Sequence, residues 1–332
     1  MNLLFSCIGK RGYIADFFRP HLKPEDKIIG TSNTKWTPGF EHCDKNFVIP
    51  DIANPNYIPR VREICKEESV NAILSFYDPD VSVLSKHYDD FVNNGIIPIF
   101  PRSEIVDTCF DKYKTYQFLS SNHIRTAKTY IDINSATTAI ENNELFFPLY
   151  VKPRFGFGSW FTYKARNFNE LTVFFNHKPN MIVQEELQGE AVNFDILNDL
   201  RGNVVSVVPW RKYLSRMGET EQSQTFYSND VIDFGVRLGN LLKNVGPLDA
   251  DLYMVDNKIS VLEINLRFGG GYPVSHLAGA DFPSLIIKMI NGEEITPQIG
   301  KYKENIVMMK DNLIIGGLES EYFNSFQKKS DH

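Results

Sequence analysis

Residues 262–267 alternate apolar and polar side chains in the order Leu-Glu-Ile-Asn-Leu-Arg, and three glycines follow at 269–271. Because successive side chains of a strand point to opposite faces, the run predicts a strand with Glu263, Asn265 and Arg267 on one face. Carboxylate and amide oxygens suit Mg²⁺ shared with substrate phosphates, and a guanidinium would neutralise charge on a transferring phosphoryl group. The run therefore indicates a magnesium-nucleotide site, although an edge strand with one solvated polar face shows the same alternation.

A glycine-containing loop follows a second strand-like run. Residues 147–152 predict an apolar strand that ends in Lys152, and the loop after it contains Gly156, Gly158 and Ser159. Glycines let backbone N–H groups approach phosphate oxygens, and lysine adds a compact positive charge to the same oxygens. The lysine precedes the glycines, so this is not a Walker loop. Taken alone, the pattern is also typical of a hairpin tip.

Residues 181–190 predict an apolar strand that passes into a polar hinge and a glycine. Backbone groups at such a hinge can pair with the edge of a purine, and acidic side chains can accept from its amino group or from ribose hydroxyls. Acidic hinges are also common as solvated turns. Only the position of this segment between the other two supports its interpretation as part of a nucleotide site.

In their order and intervals, these segments resemble the ATP-grasp superfamily, most closely the branch similar to one synthetase half of the carbamoyl-phosphate synthase large subunit. The matching segments are 111–112, 119–129, 152–159, 184–187 and 262–280, and residues 1 to about 105 resemble the small domain that precedes the grasp. The resemblance implies an α/β chain: a doubly wound parallel-sheet domain followed by an ATP-grasp fold with α+β character. The implied domains are a pre-ATP-grasp Rossmann-like domain (1–105), a small subdomain with the nucleotide-binding loop (106–190) and a large subdomain with the metal site (191–332).

The resemblance also implies roles for individual residues. The implied ATP contacts are Lys112, Lys152, Gly156, Gly158, Ser159, Gln184, Glu185 and Leu187. The implied ligands of Mg²⁺, with Mn²⁺ as an alternative, are Asp251, Glu263 and Asn265. Arg267 and Arg211 would face the γ-phosphate and the acceptor. The chain departs from the family pattern at Leu266 and Ala127, where proline is usual, and at Glu190 and Ala191, which leaves the ribose partner open.

Composition narrows the class of protein. The 332 residues are 42% hydrophobic and 23% charged, as in a globular protein of two or three subdomains, and the net charge of −6 argues against nucleic acid as the main partner. The four cysteines, at 7, 43, 65 and 109, lack the paired spacing of a zinc or redox site. We find neither a signal-peptide core nor an apolar run of about 20 residues, so we expect a cytoplasmic protein without a membrane partner.

Short apolar runs alternate with helical patterns over residues 1–105, which predicts a parallel sheet covered by helices on both faces. Helices are predicted at 57–67 and 81–92. The loops at 9–12 and 77–80 would follow strands of this sheet, where a small ligand of open α/β sheets binds, and Lys10 and Arg11 are candidate substrate contacts. Further on, strands are predicted at 145–152, 160–163, 181–184, 192–197 and 204–208, helices at 111–122 and 230–243, and a hairpin at 250–254 and 260–267 that would bring Asp251 beside Glu263 and Asn265.

The implied chemistry is transfer of a phosphoryl group from ATP to a carboxylate, followed by attack of an amine on the acyl phosphate. Such a step depends on positioning and charge neutralisation, which agrees with the absence of a catalytic triad in the sequence. The predicted activity is that of an ADP-forming carboxylate–amine ligase with small-molecule carboxylate and amine substrates, and a homodimer remains open. Two alternatives are a carboxyphosphate or carbamoyl-phosphate-type synthetase subunit acting on bicarbonate, and a catalytically inactive nucleotide-binding protein.

Overall fold

The computed structural model describes residues 1–156, 158, 160–216, 218–255 and 258–316. The predicted hairpin turn at 256–257 and the predicted loose tail at 327–332 lie outside these residues. Three sheets and the helices packed on them make up the described part, in which no helix has the length and apolarity needed to cross a membrane. The four cysteines are free thiols, and three of them are buried.

The N-terminal sheet has five parallel strands in the order β3-β2-β1-β4-β5. The strands are β1 (Asn2–Ser6), β2 (Lys27–Ser32), β3 (Lys45–Val48), β4 (Ala72–Ser75) and β5 (Ile97–Pro98). Leu4 packs into the apolar cluster on one side of the sheet, whereas Leu3 and Phe5 pack into the cluster on the other side. Burial on both faces confirms the predicted doubly wound arrangement.

Four helices cover this sheet: α1 (Gly12–Phe18), α2 (Tyr57–Glu67), α3 (Asp78–Leu84) and α4 (Tyr88–Asn93). Helix α2 has the predicted bounds. The single helix predicted at 81–92 is wrong, because a 3₁₀ turn at Ser85–His87 separates α3 from α4 and the backbone of His87 leaves the helical region with φ −113° and ψ 19°. Pro79 in the first turn of α3 lets that helix begin earlier than predicted.

Helices α5 (Ser103–Phe110) and α6 (Lys112–Ser121) lead into a four-stranded antiparallel sheet in the order β6-β9-β7-β8. Its strands are β6 (Thr129–Tyr130), β7 (Leu149–Pro153), β8 (Tyr163–Ala165) and β9 (Met181–Glu185), and helices α7 (Ile133–Glu141) and α8 (Phe168–Phe175) accompany it. The strand predicted at 160–163 starts only at the last of those residues. The predicted helix at 111–122 is confirmed, with Asp111 as its N-cap.

The third sheet has six strands in the order β14-β13-β10-β11-β12-β15. They are β10 (Glu190–Asn198), β11 (Val204–Arg216), β12 (Glu219–Thr225), β13 (Gly246–Val255), β14 (Lys258–Asn265) and β15 (Val307–Met309). Helices α9 (Asn229–Leu242), α10 (Tyr272–Leu277) and α11 (Phe282–Ile290) complete the described part. The predicted hairpin is confirmed as β13 and β14, which pair antiparallel.

The two faces of the six-stranded sheet differ in chemistry. Val192, Phe194 and Ile196 of β10 pack into the apolar cluster that contains the buried side of α9. Asn193 and Asp195 alternate with them and therefore point to the opposite face. That face carries the polar side chains of the candidate site.

Candidate functional site

A cavity of about 320 Å³ is lined by residues of the four-stranded and the six-stranded sheets. Most of the sequence-predicted site residues line it: Lys112, Lys152, Gly156, Gly158, Gln184, Glu185, Leu187, Asp251, Glu263, Asn265 and Arg267. Ser159 lies outside the described residues. Arg211 does not line the cavity. The structure thus brings together side chains from positions 112 to 267 that the sequence could group only by resemblance.

The pairing of strands β13 and β14 determines where the carboxylates of this cavity lie. Asp251 is the register partner of Glu263, and Asp249 is the partner of Asn265. The amide of Asn265 donates to Asp249 Oδ2 at 3.4 Å. Asn193 of β10 donates to Asp251 Oδ1 at 2.8 Å and to Asp249 Oδ1 at 3.4 Å, so one amide links the two aspartates.

Lys112 reaches the cavity from the first turn of α6. Its Nζ donates to the Gly156 carbonyl at 2.7 Å and lies 3.1 Å from Glu263 Oε1. Asp111 fixes the start of α6 by accepting from the Tyr113 and Lys114 amides, and Arg154 donates to both oxygens of Asp111 at 2.8 and 2.6 Å. This capped and clamped helix start holds the Lys112 ammonium near the glycine loop.

Lys152 is a buried lysine at the end of β7. Burial, and to a smaller extent the neighbouring Lys112, lower the pKa of its ammonium to about 8, although the carboxylates of Glu263 and Asp251 oppose the shift. Burial alone would raise the pKa of Glu263, but Lys112 and Lys152 outweigh it and keep that pKa below its ordinary value. Both groups are therefore charged near pH 7, with an ammonium that an added anion would stabilise.

Lys212, which the sequence reasoning missed, forms an ion pair with Asp251 inside the cavity. Burial would raise the pKa of Asp251, but Lys212 outweighs it, so the pKa lies below its ordinary value. Arg211, the predicted residue, points away: its Nε donates to Glu190 Oε1 at 2.6 Å and its guanidinium lies 4.2 Å from the centre of the Phe226 ring. The correction follows from strand parity, since Lys212 lies on the face of Asn193 and Arg211 on the face of Val192.

Arg267 lies between the cavity and the N-terminal domain. Its Nε and Nη2 lie 3.1 and 3.0 Å from Asp78 Oδ2, and its Nη1 lies 3.4 Å from Asp249 Oδ2. Burial would lower the pKa of Arg267, but Asp78 and Asp249 raise it well above its ordinary value. Burial and the neighbouring Asp251 raise the pKa of Asp249 despite Arg267 and Lys212. Arg267 is a permanently charged group held by two carboxylates.

Behind Asp249 lies a buried carboxyl group, Asp195. Burial and repulsion by Asp249 raise the pKa of Asp195 to about 8, so this carboxyl holds a proton near pH 7. Its Oδ2 accepts from Ser275 Oγ at 2.6 Å and from Trp210 Nε1 at 2.9 Å. These bonds fix the position of Asp195, which is the register partner of Asp249.

The predicted adenine hinge follows the end of β9. The side-chain amide of Gln184 donates to Thr129 Oγ1 at 2.9 Å, which ties β9 to β6. Glu185 accepts from the Lys128 amide through Oε2 at 3.1 Å and donates its own amide to the Lys128 carbonyl at 2.9 Å. These bonds tie the start of the hinge to Thr129 and Lys128.

A second cavity of about 510 Å³ lies at the carboxyl ends of the parallel strands and shares Gly158, Gly218 and Arg267 with the first. The predicted loops at 9–12 and 77–80 both contribute to its wall. Lys10 is exposed there. Arg11 is instead held by protein groups: Nε and Nη2 donate to Glu219 Oε1, and Nη1 donates to the Phe76 and Phe268 carbonyls. The geometry favours Lys10 over Arg11 as a substrate contact.

The oxygen donors of the first cavity match the needs of the divalent ion that the resemblance implies only in part. Among the described residues, no group of three or more His, Cys, Asp or Glu side chains could hold a metal ion. The predicted set has two carboxylates, Asp251 and Glu263, and the amide oxygen of Asn265, all lining one cavity. Mg²⁺ in nucleotide sites is held by one or two carboxylates together with substrate phosphates. The donors fit an ion that arrives with a nucleotide.

Several residues of this site escaped the sequence reasoning, chiefly Asp78, Asn193, Lys212, Glu219 and Asp249. A signal existed for Asp249, which lies two positions before Asp251 and so shares its strand face. No comparable signal exists in the sequence for Lys212, because choosing it over Arg211 requires the register of β11 on β10. Asp78 belongs to the predicted loop at 77–80, but its ion pair with Arg267 could not be foreseen from the sequence.

Two family models match the chain. A PylC-like N-terminal domain matches residues 3–99, and an ATP-grasp domain described as belonging to the biosynthetic pathway with the Ter operon matches residues 177–311. No curated protein sequence matches this chain.

Solved structures with the same fold share little sequence with the chain. The biotin carboxylase domain of Hydrogenobacter thermophilus 2-oxoglutarate carboxylase, solved as a dimer with MgADP, ADP and bicarbonate, has a TM-score of 0.74 at 14% identity, with 92% of this chain and 73% of that chain covered. Rhizobium etli pyruvate carboxylase has a TM-score of 0.70 at 16% identity, with 90% of this chain and 29% of that chain covered. This chain therefore spans under a third of the length of that protein. Phosphoribosylglycinamide synthetase from Anaerococcus prevotii has a TM-score of 0.64 at 20% identity, with 92% of this chain and 79% of that chain covered.

Lys152 should titrate near pH 8 in the folded protein, and Glu263→Gln should lower that pKa because the carboxylate stabilises the ammonium. Carbon NMR of labelled lysine side chains, recorded from about pH 6 to about pH 11, would follow the titration of Lys152. An unfolded lysine titrates near 10.5, so between about 8 and 10.5 the unfolded chain binds more protons and stability should rise with pH.

Lys164 is the internal control, since it pairs with Glu186 at the surface and its pKa is raised. Its titration should not respond to Glu263→Gln. Titration of Lys152 at or above 10.5 would contradict the assigned burial.

Proposed function

We propose that this chain, in which an ATP-grasp domain follows a PylC-like N-terminal domain, is an ADP-forming ligase that joins a carboxylate to an amine. The observation that carries the proposal is the convergence of Lys112, Lys152 and Lys212 with Asp251 and Glu263 in one cavity. The three ammonium groups suit the phosphates and the two carboxylates suit the metal ion of a magnesium-bound polyphosphate. The glycine loop and the 184–187 hinge complete a wall long enough for a nucleotide.

The residues of the chain would divide the work of phosphoryl transfer. Lys112 and Lys152 would bind the phosphates, since their ammonium groups already lie beside Glu263 and the Gly156 carbonyl. Asp251, Glu263 and Asn265 would hold Mg²⁺, which would neutralise charge on the transferring group when bound. Arg267, fixed by Asp78 and Asp249, would stabilise negative charge at the boundary of the two cavities without moving.

The acceptor would lie in the second cavity, which meets the first at Arg267, Gly158 and Gly218. A carboxylate oxygen of the acceptor would bond to the γ-phosphorus, and ADP would leave with the electrons of the broken P–O bond. The amine would then attack the acyl carbon, phosphate would leave, and the amine would lose one proton. Positioning and charge supply this chemistry, so no proton-transferring triad is needed.

An organic acid is favoured over bicarbonate by the size of the second cavity. Its volume of about 510 Å³ lies in the range of sites for organic ligands, and its wall combines Ile49, Ile52 and Phe76 with the ammonium of Lys10. Bicarbonate is the alternative acceptor, because the similar biotin carboxylase domain was solved with bicarbonate bound. The inactive alternative is disfavoured because the predicted phosphate lysines and metal donors all line the first cavity. The proposal includes a cytoplasmic location, with Mn²⁺ as an alternative to Mg²⁺ and a homodimer as an alternative to the monomer.

The acid itself provides the test of the reaction class. With MgATP and hydroxylamine, one organic acid from a panel should raise ADP release about tenfold or more above background and yield its hydroxamate, because hydroxylamine intercepts an acyl phosphate. Bicarbonate as the only acid should leave ADP release near background. Strong stimulation by bicarbonate with no response to any organic acid would overturn the ligase proposal.

Adjacent residues of β11 give a matched pair of variants. Lys212→Met should lower acid-dependent ADP release about 100-fold, because it removes a charge that faces the phosphates. Arg211→Met should stay within about twofold of the unaltered protein, since an exposed ion pair contributes little. Steady-state rates of both variants at saturating MgATP, with circular dichroism as a check of folding, would decide the matter. Equal losses in the two variants would show that Lys212 has no special role.

A further inference from the structure

Glu219, at the start of β12, lies in an unusually cationic setting. Its Oε1 accepts from Arg11 Nε at 3.0 Å and Nη2 at 2.6 Å, and its Oε2 accepts from Lys310 Nζ at 3.1 Å. Burial alone would raise the pKa of Glu219, but Arg11 and Lys310 lower it to about 2. The carboxylate therefore remains charged and doubly paired at any pH at which the protein is assayed.

The partners of Glu219 come from distant parts of the chain. Arg11 belongs to the loop after β1, and Lys310 follows β15 and also donates to the Gly270 carbonyl at 2.6 Å. A side-chain carbon on Gly270 would come within 2.6 Å of Glu219 Oε2. One carboxylate thus ties the N-terminal domain, the glycine cluster after β14 and the end of the described chain to the start of β12.

The residue before Glu219 touches the nucleotide-binding loop. Gly218 has φ +79°, and a side-chain carbon there would come within 2.6 Å of Gly158 Cα. Both glycines line both cavities. The close approach requires glycine at 218 and means that the position of β12 limits where the loop residue Gly158 can lie.

Arg11 connects the same group to Arg267. The Phe268 carbonyl accepts from Arg11 Nη1 at 2.8 Å and from Arg267 Nη1 at 3.2 Å. Glu219 also contributes to the raised pKa of Arg267, which places its charge near that guanidinium. Through Arg11, the carboxylate fixes the carbonyl that orients Arg267.

We propose that Glu219 is a positioning residue for phosphoryl transfer, which holds Gly218 against Gly158 on the nucleotide side and, through Arg11, holds Arg267 on the acceptor side. The inference rests on the proposed ATP site. Glu219 lines the second cavity, but its carboxylate oxygens are bonded to Arg11 and Lys310, so its effect would reach the phosphates through backbone contacts and shared hydrogen bonds. Loss of its charge would therefore affect the β- and γ-phosphates more than the adenosine end of the nucleotide.

Glu219→Gln tests this inference, with Glu221→Gln as the matched control. Glu221 lies two positions further on the same strand, and its carboxylate pairs with the exposed Arg216 at 3.5 Å. Titration calorimetry should show that Glu219→Gln weakens binding of a non-hydrolysable ATP analogue about tenfold, the order expected from loss of charge-assisted hydrogen bonds, and leaves AMP affinity unchanged. Glu221→Gln should change neither affinity.

Hydrogen exchange without nucleotide provides a second readout. Glu219→Gln should speed amide exchange at both Gly218 and Gly158, whereas Glu221→Gln should speed neither. Equal losses of AMP and ATP-analogue affinity, or faster exchange at Gly218 alone, would overturn the positioning role. Absence of ATP binding by the unaltered protein would instead count against the proposed function, since the exchange experiment tests the Glu219 contacts without nucleotide.

Discussion

Crowded carboxylates on one face of the six-stranded sheet impose the main constraint on this structure. Asp249, which is buried, and Asp251 and Glu263, which are partly buried, project from two adjacent strands into one cavity. Like charges so close together, and partly removed from water, repel one another, so each carboxylate needs a cation or a donor in a fixed place. The surrounding elements are arranged to supply them.

The compensating groups come from every part of the fold. Lys112 is placed by the cap of α6, Lys152 by the end of β7, and Lys212 by the register of β11. Arg267 is shared between Asp249 of the large sheet and Asp78 of the N-terminal domain. The same electrostatic requirement therefore stabilises the packing of these elements and leaves their cations facing one cavity, where they suit a polyphosphate.

Local patterns predicted the elements whose partners are near in sequence. The β13–β14 hairpin, with Asp251 beside Glu263, follows from alternation on two strands joined by a short connection. The doubly wound sheet and its first long helix follow from apolar periodicity. The break at His87 depends on local backbone geometry that periodicity does not encode.

Residues whose roles depend on distant partners were not predictable in this way. Arg211 and Lys212 are neighbours of similar charge, and only the pairing of β11 with β10 decides which one enters the cavity. Arg11 resembled a substrate contact until its guanidinium was found bound to Glu219, 208 positions away. The domain boundaries at 105 and 190 stay predictions.

Proton uptake on nucleotide binding tests most directly the claim that the cavity receives phosphates against Lys152. At pH 8 this lysine is about half protonated, and a phosphate beside it should raise its pKa and draw in a proton. Calorimetric titration with MgADP in two buffers of different ionisation enthalpy should reveal an uptake of about half a proton in the unaltered protein and much less in Lys152→Met. Binding of MgADP without proton uptake at pH 8, or with the same uptake in Lys152→Met, would contradict the account.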